Sequence, residues 1–321
     1  MRSSELDYDL PTELIAQHPA HRRDASRLLV CDRATGAIRH RTFSELPGEL
    51  DRHLVVVNDT RVVPARLHLR RQTGGEVEVL LVEPLGEGSW EALARPSRRL
   101  RQGESLQASD RGSQGSPVEL VEELGEGRWR IRLEGEPSGE LPLPPYIREQ
   151  PDDPERYQTV YAHDAGSAAA PTAGLHFTPE LLARLDHERV TLHVGLDTFR
   201  PVTTRTVEEH EIHGERYRVN PSAWARIHAA ERVLAVGTTT TRVLETIARG
   251  RPLEGRSELF ITPGFEFLRV DSLLTNFHLP GTTLLALVMA FAGVELTREL
   301  YALAIHERYR FYSFGDAMLV L

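Results

Sequence analysis

The chain has 321 residues, a formal net charge of -9, 40% hydrophobic and 26% charged residues, and a single cysteine, Cys31. These values are typical of a folded globular protein of one or two domains, and they exclude an intrachain disulfide and a cysteine-based zinc site. All 38 basic side chains are arginine, which excludes lysine Schiff-base chemistry and a phosphate-loop lysine. No apolar run approaches the ~20 residues of a membrane helix, and the first residues lack a signal-peptide core. We therefore expect a cytoplasmic protein with no membrane span.

The N-terminal part of the chain contains predicted buried strands, and the hydrophobic pattern changes in the region that follows. Leu28 to Cys31 and the β-branched run Leu54 to Asn58 are strand candidates, and TELIAQ has a helical pattern. Between about 62 and 141, short alternating segments are separated by glycine-rich turns: ARLHL, EVEVLLVE, WEALA, PVELVEEL and WRIRLEG. Short strands at regular spacing predict a small antiparallel barrel or sandwich.

After Tyr146, predicted strands alternate with predicted helices. Thr178-Pro179 opens a helix through Leu185, Asn220-Pro221 opens a second, and GTTTT opens a third. VTLHV, VLAVG, LFI, VDSLL and AMLVL are predicted strands, GTTLLALVMAFAG is a helix apolar on every side, and ELTRELYALAIHERYR is an amphipathic helix. This alternation predicts a mainly parallel or mixed sheet.

The stretch 156–213 concentrates small residues and histidines, including His176, His193, His210 and His213. Histidine titrates nearest neutral pH, so such a cluster suits proton transfer, metal binding or pH switching. A surface loop with a few exposed histidines is the alternative interpretation. The residue types alone do not decide between a functional cluster and a surface loop.

Several motifs together resemble one family. They are YDLPTELIAQHP, VVNDTRVVPARL, RYQTVYA, APTAGLHFT, TLHVGLDTFRPV, EEHEIHGERY, AVGTTTTRVLE, TNFHLPGTTLL and RFYSFGDAML. In these stretches, from Asp7 to Leu319, the chain is similar to the S-adenosylmethionine:tRNA ribosyltransferase-isomerases of queuosine biosynthesis. The resemblance implies a discontinuous α/β catalytic domain with a mixed sheet (1–62 and 146–321) and an inserted small β-barrel domain (63–145).

The resemblance also implies a transferase reaction. The ribosyl part of S-adenosylmethionine, a co-substrate, is moved onto 7-aminomethyl-7-deazaguanine at the tRNA wobble position, giving epoxyqueuosine-tRNA with release of adenine and methionine. The family's reaction begins with removal of a proton next to the sulfonium. We expect no metal, no tightly bound cofactor and a monomer whose partner is tRNA.

That chemistry needs a base for a carbon acid, an acid for adenine, and groups that hold the ribose and the methionine carboxylate. His176 and His193 are the first candidates for proton transfer, and the catalytic candidates in full are His176, His193, His210, Glu211 and His213. Arg200 could anchor the carboxylate through a two-pronged contact. The substrate-binding candidates are Thr172, Gly174, Arg200, Gly237, Thr238, Thr239, Asn276 and His278. For each histidine, a structural hydrogen-bonding role is the alternative.

The densest positive run is RPSRRLR, in the predicted barrel. Its arginines could bind tRNA phosphates, with a solvated arginine face as the alternative. The tRNA-binding candidates are Arg95, Arg98, Arg99 and Arg101.

The chain departs from the family pattern at Asp197, at Gly281 and in a shortened segment, 186–190. Asp197 and Gly281 motivate an alternative function, a catalytically impaired member that acts as an RNA-binding protein. A histidine-rich metal hydrolase is a third hypothesis, although EEHEIH lacks the His-Glu-x-x-His order of metalloproteases.

Overall fold

The computed structural model describes residues 1–109, 117–148, 151, 153–195, 201–212 and 214–321. The chain divides into two compact units: Met1–Thr60 with Pro145–Asp164 and Pro171–Leu321, and Arg61–Pro144 with Ala165–Ala170. This division into compact units does not test where independently folding domains begin and end. The domain boundaries given above therefore stay a prediction.

The structure contains the following strands and helices. The strands are β1 (Arg27–Cys31), β2 (Ile38–Thr42), β3 (His53–Asn58), β4 (Thr60–Val62), β5 (Arg66–Arg71), β6 (Glu76–Gly86), β7 (Ser89–Arg95), β8 (Ser105–Ala108), β9 (Val118–Gly125), β10 (Arg128–Leu133), β11 (Asp164–Ser167), β12 (His187–Leu192), β13 (Glu215–Arg218), β14 (Arg232–Val236), β15 (Glu254–Ser257), β16 (Ser272–Asn276) and β17 (Ala317–Val320). The α-helices are α1 (Leu46–Glu49), α2 (Pro179–Leu182), α3 (Pro221–Ala229), α4 (Thr238–Ala248), α5 (Thr283–Ala292) and α6 (Val294–His306). Among the described helices, none is long and apolar enough to cross a membrane.

A mixed sheet forms the centre of the first unit, with strand order β15-β13-β12-β3-β14-β16-β17-β1-β2. Strands β12, β3, β14 and β16 run parallel to their neighbours in this series, whereas β16 pairs with β17 antiparallel. The β-branched run of β3 is buried from Leu54 to Asn58, as expected for a strand covered on both faces. The predicted mixed α/β sheet is confirmed.

Capping signals in the sequence set the starts of several helices. The Asn220 side chain accepts a hydrogen bond from the Ser222 amide at the start of α3, and Thr282 caps α5 by accepting from the Leu285 amide. Helix α4 begins after Gly237, whose φ of 88° lies in the region that favours glycine.

The second unit contains a closed antiparallel barrel with strand order β10-β7-β6-β5-β8-β9. Alternate side chains of these strands fill its interior, among them Leu67, Val79 and Ile131, and Trp129 is 1% exposed. Closure leaves every strand paired on both edges, which removes the exposed edges of an open sheet. The predicted β-barrel is confirmed.

Three local predictions were wrong. LFI forms no strand, because the nearby strand is β15, which precedes it and pairs with β13. TELIAQ contains a single 3-10 turn, Thr12–Leu14, and α2 ends at Leu182 rather than Leu185. Each of these segments is too short for its own periodicity to decide the backbone, so tertiary contacts do.

Candidate active site

The candidate site lies where four neighbouring parallel strands end. The last residues of β3, β12, β14 and β16 are Asn58, Leu192, Val236 and Asn276. Parallel strands end at the same edge of a sheet, and α/β sheets bind ligands at this carboxyl edge. His193, Gly237 to Thr239, Asn276 and His278 lie at or just after these strand ends.

Asn58 joins three of these elements, although it was not among the predicted residues. Its buried amide donates from Nδ2 to the Leu192 carbonyl (2.9 Å) and to Thr239 Oγ1 (3.4 Å). Its Oδ1 accepts from the Leu192 amide (3.0 Å) and the Thr60 amide (3.2 Å). A buried polar side chain in a position otherwise filled by valines was the available sequence signal, because burial requires partners for such a group.

His193 is held by a hydroxyl from the neighbouring strand end. Thr60 Oγ1 hydrogen-bonds His193 Nδ1 (2.9 Å) and lies 3.4 Å from the Asp164 carbonyl. When the hydroxyl donates to that carbonyl, it accepts the Nδ1–H of His193 and the lone pair lies on Nε2, which makes no hydrogen bond with any described residue. Burial lowers the pKa of His193, against a smaller raising effect from Asp164. The ring is therefore neutral at pH 7 and able to accept a proton at Nε2.

His176 occupies a different environment. Ser26 Oγ donates to the Arg23 carbonyl (3.3 Å) and accepts the Nδ1–H of His176 (2.7 Å), while His176 Nε2 accepts from Asn276 Nδ2 (3.2 Å). The ring stacks on Phe43 at 4.9 Å between centroids. Burial, with smaller effects from nearby arginines, lowers its pKa to about 3. Both ring nitrogens are engaged inside the protein, so this geometry suits positioning better than proton transfer.

Asn276 and His278 form the neighbouring wall. Asn276 Nδ2 also donates to the Tyr312 carbonyl (3.1 Å), and its buried Oδ1 has no hydrogen-bond partner among the described residues. His278 Nε2 hydrogen-bonds Thr275 Oγ1 (2.7 Å), and burial lowers the pKa of His278 to about 3. Thr172 lines a small cavity together with both side chains.

Gly174 occupies a position with no room for a larger residue. A Cβ built there would lie 2.0 Å from Tyr161 Oη and 2.9 Å from Thr159 Cγ2. Gly174 lies in the 3-10 helix Thr172–His176, so the absence of its side chain fixes how closely this helix packs on Tyr161. The glycine thereby sets the position of His176.

The start of α4 is anchored by a buried ion pair. Arg242 pairs with Glu215, and its guanidinium also donates to the carbonyls of Leu259 (3.0 Å) and Ser257 (3.0 Å). Glu215 Oε1 in turn accepts from the Gly195 amide (2.9 Å). Glu215 and Arg242 therefore connect the turn after His193 with α4. Thr238 and Thr239, in the first turn of α4, are both buried.

The remaining predicted residues are not brought to the strand ends by any described contact. His210 follows the short helix Val207–Glu209 with its ring 6.1 Å from that of Phe260, and Glu211 is exposed. Arg200, His213 and the departure Asp197 lie outside the described residues. Gly281 has a φ of 68°, and its amide donates to the Leu6 carbonyl (3.0 Å), which gives a backbone reason for glycine there.

The arginine run lies in the second unit, starting at the last residue of β7, Arg95, and continuing in the segment before β8. Arg95, Arg98, Arg99 and Arg101 are exposed, and none forms an ion pair with another described residue. In contrast, Arg66 pairs with Glu78 (3.2 Å) and Arg71 with Glu104 (2.6 Å) on the barrel strands. Exposed arginines without an ion pair among the described residues are suited to bind phosphate.

Within the described part of the chain, no three histidine, cysteine, aspartate or glutamate side chains come together to hold a metal ion.

Comparisons with known proteins cover the full chain. The family model described as queuosine biosynthesis protein matches residues 3–320. A protein of Rubrobacter xylanophilus is 55% identical, covering 100% of this chain and 98% of its own length, and one of Symbiobacterium thermophilum is 51% identical with full coverage of both. Both are named S-adenosylmethionine:tRNA ribosyltransferase-isomerase.

A solved structure is also similar. The crystal structure of an S-adenosylmethionine tRNA ribosyltransferase from Thermotoga maritima matches with a TM-score of 0.57 and 38% identity, covering 99% of this chain and 100% of that one.

Proposed function

The chain belongs to the queuosine biosynthesis protein family, and from this premise we propose the reaction that it catalyses. It transfers and isomerises the ribosyl moiety of S-adenosylmethionine onto 7-aminomethyl-7-deazaguanine at the tRNA wobble position. The products are epoxyqueuosine-tRNA, adenine and methionine. Family membership confirms the resemblance and the transferase class predicted from the sequence, whereas a monomeric state and a cytoplasmic location stay predictions.

The observation that carries the proposal is the arrangement of His193, Thr60 and Asp164 at the carboxyl edge of the sheet. A neutral imidazole with its lone pair assigned to Nε2 is the form that can remove a proton from the carbon next to a sulfonium. Loss of adenine from the resulting carbanion then needs no metal. His193 is accordingly the base in this proposal.

The other side chains of the edge take binding roles. His176 positions Asn276, because its Nε2 accepts from the Asn276 amide (3.2 Å). The unpartnered Oδ1 of Asn276 is an acceptor for an N–H of one of the two bases. The exposed arginines of the barrel bind tRNA phosphates.

The direct test is adenine release. The protein is incubated with S-adenosylmethionine and tRNA carrying 7-aminomethyl-7-deazaguanine, with and without EDTA, and adenine is quantified by chromatography. The same tRNA with guanine at the wobble position is the control. We expect release only with the modified tRNA and no effect of EDTA.

Two other outcomes would favour the alternative functions. Retained tRNA binding without adenine release would indicate an RNA-binding protein, and loss of release on chelation would indicate metal-dependent chemistry.

A further inference from the structure

A polar groove of about 690 Å³ opens beside the candidate site in the first unit. Its lining includes Asp59, His163, Asp164, Arg189, Arg218 and Glu254. Asp59 directly precedes Thr60, and the Asp164 carbonyl accepts from the Thr60 hydroxyl that contacts His193. The groove is therefore linked to the proposed base through Asp59 and Asp164, although His193 does not line it, and its volume is in the range of small-molecule sites.

The acids of this groove differ in whether a cation already neutralises them. Asp164 pairs with Arg218, and Glu188 pairs with Arg226. Asp59 forms no ion pair with any described residue. Its Oδ1 accepts from Thr191 Oγ1 (2.7 Å), and its Oδ2 has no hydrogen-bond partner among the described residues. A partly buried carboxylate with an unpartnered oxygen carries a charge that a ligand can neutralise.

The backbone holds Asp59 firmly in place. Its amide donates to the Val190 carbonyl (2.9 Å), and its carbonyl accepts from the amides of His163 (2.8 Å) and Asp164 (3.2 Å). Burial raises the pKa of Asp59, against the lowering effects of the Thr191 hydrogen bond and of Arg189. Such a carboxylate is a pre-positioned acceptor whose charge is incompletely compensated.

The chemistry of the lining limits which cation fits. A divalent metal needs three or more ligands, and no such cluster occurs among the described residues. A primary ammonium needs one carboxylate and donates a strong, charge-assisted hydrogen bond to it. We propose that the Asp59 carboxylate binds a primary ammonium group of a substrate in this groove.

This inference rests on the proposed function, whose two substrates each carry a primary ammonium. One is the α-ammonium of the methionine part of S-adenosylmethionine, and the other is the aminomethyl group of the modified base. In both cases, an N–H group of a positively charged amine would donate a hydrogen bond to Oδ2 of Asp59.

Binding measurements with Asp59→Asn test the inference and separate the two sources. Calorimetry gives the affinity for S-adenosylmethionine, and filter binding compares tRNA carrying the aminomethyl base with the same tRNA carrying guanine. Loss of a charge-assisted hydrogen bond should weaken one of these ligands about tenfold or more. Weaker S-adenosylmethionine binding identifies the α-ammonium, and weaker binding of the aminomethyl tRNA alone identifies the base amine.

Glu254→Gln is the matched control, because it removes one negative charge from an exposed residue of the same groove. It should leave all three affinities within about twofold. Unchanged affinities in Asp59→Asn, or an equal loss for both tRNAs with unchanged S-adenosylmethionine binding, would overturn the inference. Absence of adenine release by the wild-type protein would instead refute the proposed function, while the binding measurements would still decide the role of Asp59.

Discussion

In the proposed reaction, Thr60 selects the nitrogen of His193 that accepts the proton. Its hydroxyl lies 2.9 Å from His193 Nδ1 and 3.4 Å from the Asp164 carbonyl, so it can accept the Nδ1–H while it donates a hydrogen bond to the carbonyl. Without this acceptor the ring could adopt the other tautomer or rotate, and the lone pair at Nε2 would no longer be fixed. We therefore propose that Thr60 positions His193.

Thr60→Val should lower kcat about tenfold and leave KM for S-adenosylmethionine within about twofold, because the base stays present but loses its orientation. Thr60→Ser retains the hydroxyl and should restore most of the activity. Steady-state kinetics of the three proteins measure the effect. A Thr60→Val enzyme with the kcat of wild type would show that the hydroxyl does not orient the base.

The pH profile tests His193 itself. Burial penalises the charged imidazolium and lowers the pKa, so the neutral ring persists below the ordinary histidine value of about 6.5. The other charged groups near the ring are Asp164 and Asp59, which raise the pKa, and Arg216 and Arg218, which lower it. The acid limb of kcat/KM, measured between pH 5 and 8, should have its midpoint below 6.5.

His193→Ala should lower kcat about a hundredfold or more, while His228→Ala, at an exposed position on α3, should have no such effect. A midpoint above pH 6.5, or full turnover by His193→Ala, would remove His193 from the role of base.

From the sequence, His176 and His193 were equal candidates for proton transfer, because the evidence for both was residue type and motif. The difference between them comes from partners distant in the chain: Ser26 is 150 positions from His176, and Thr60 is 133 positions from His193. No local pattern contains that information. Asn58 and Asp59 were overlooked for the same reason. The sequence NDT at the end of a strand is typical of a turn, and only the folded structure shows the distant partners of these side chains.

Among the secondary-structure elements, the short helix Thr172–His176 depends on a glycine for its packing. Gly174→Ala would bring a Cβ to 2.0 Å from Tyr161 Oη. Relieving this overlap requires the buried Tyr161 side chain or the helix that carries His176 to move. We expect a loss of about 1–3 kcal/mol in the free energy of unfolding and a fall in turnover, measured by urea denaturation and adenine release.

The same contact provides an internal control. Tyr161 Oη has no hydrogen-bond partner among the described residues, so Tyr161→Phe removes the overlapping atom without breaking a bond there. The double variant should recover part of the lost stability. Gly48→Ala, where a Cβ meets nothing within 4 Å, should be neutral. Equal stability of Gly174→Ala and wild type would contradict the packing account.

Elements with strong patterns were predictable, and elements defined by pairing were not. The barrel strands alternate in sequence as they do in burial, for example in β10, whose residues 129, 131 and 133 face inward. Strand β13 was missed because its ERYR sequence carries little apolar signal, and it is defined by its pairing with β12 and β15. Strand propensity is weak where neighbours decide the pairing.

For the whole molecule, the net charge is -9, so the proposed binding of tRNA phosphates depends on local clusters of exposed arginines. Reversal of Arg98, Arg99 and Arg101 to glutamate should weaken tRNA binding, and the remaining affinity should depend less steeply on salt. Because these side chains are exposed, the melting temperature should stay within a few degrees.

Arg130→Glu with Arg132→Glu, on an exposed part of β10 in the same barrel, is a partial control, because it also makes the net charge more negative but breaks the ion pairs of these arginines with Glu122 and Glu119. Filter binding at low salt provides the measurement. Unchanged tRNA affinity of the triple variant, with unchanged melting, would show that this loop is a solvated arginine face.

The central claim, ribosyl transfer to tRNA, is tested most directly by following the carbon atoms. S-adenosylmethionine labelled with ¹³C in its ribose is incubated with the protein and with tRNA carrying 7-aminomethyl-7-deazaguanine, and the digested nucleosides are analysed by mass spectrometry. The account predicts a wobble nucleoside that contains all five labelled carbons, formed in equal amount to free adenine. Adenine release with no label in the tRNA, or label without adenine release, would contradict it.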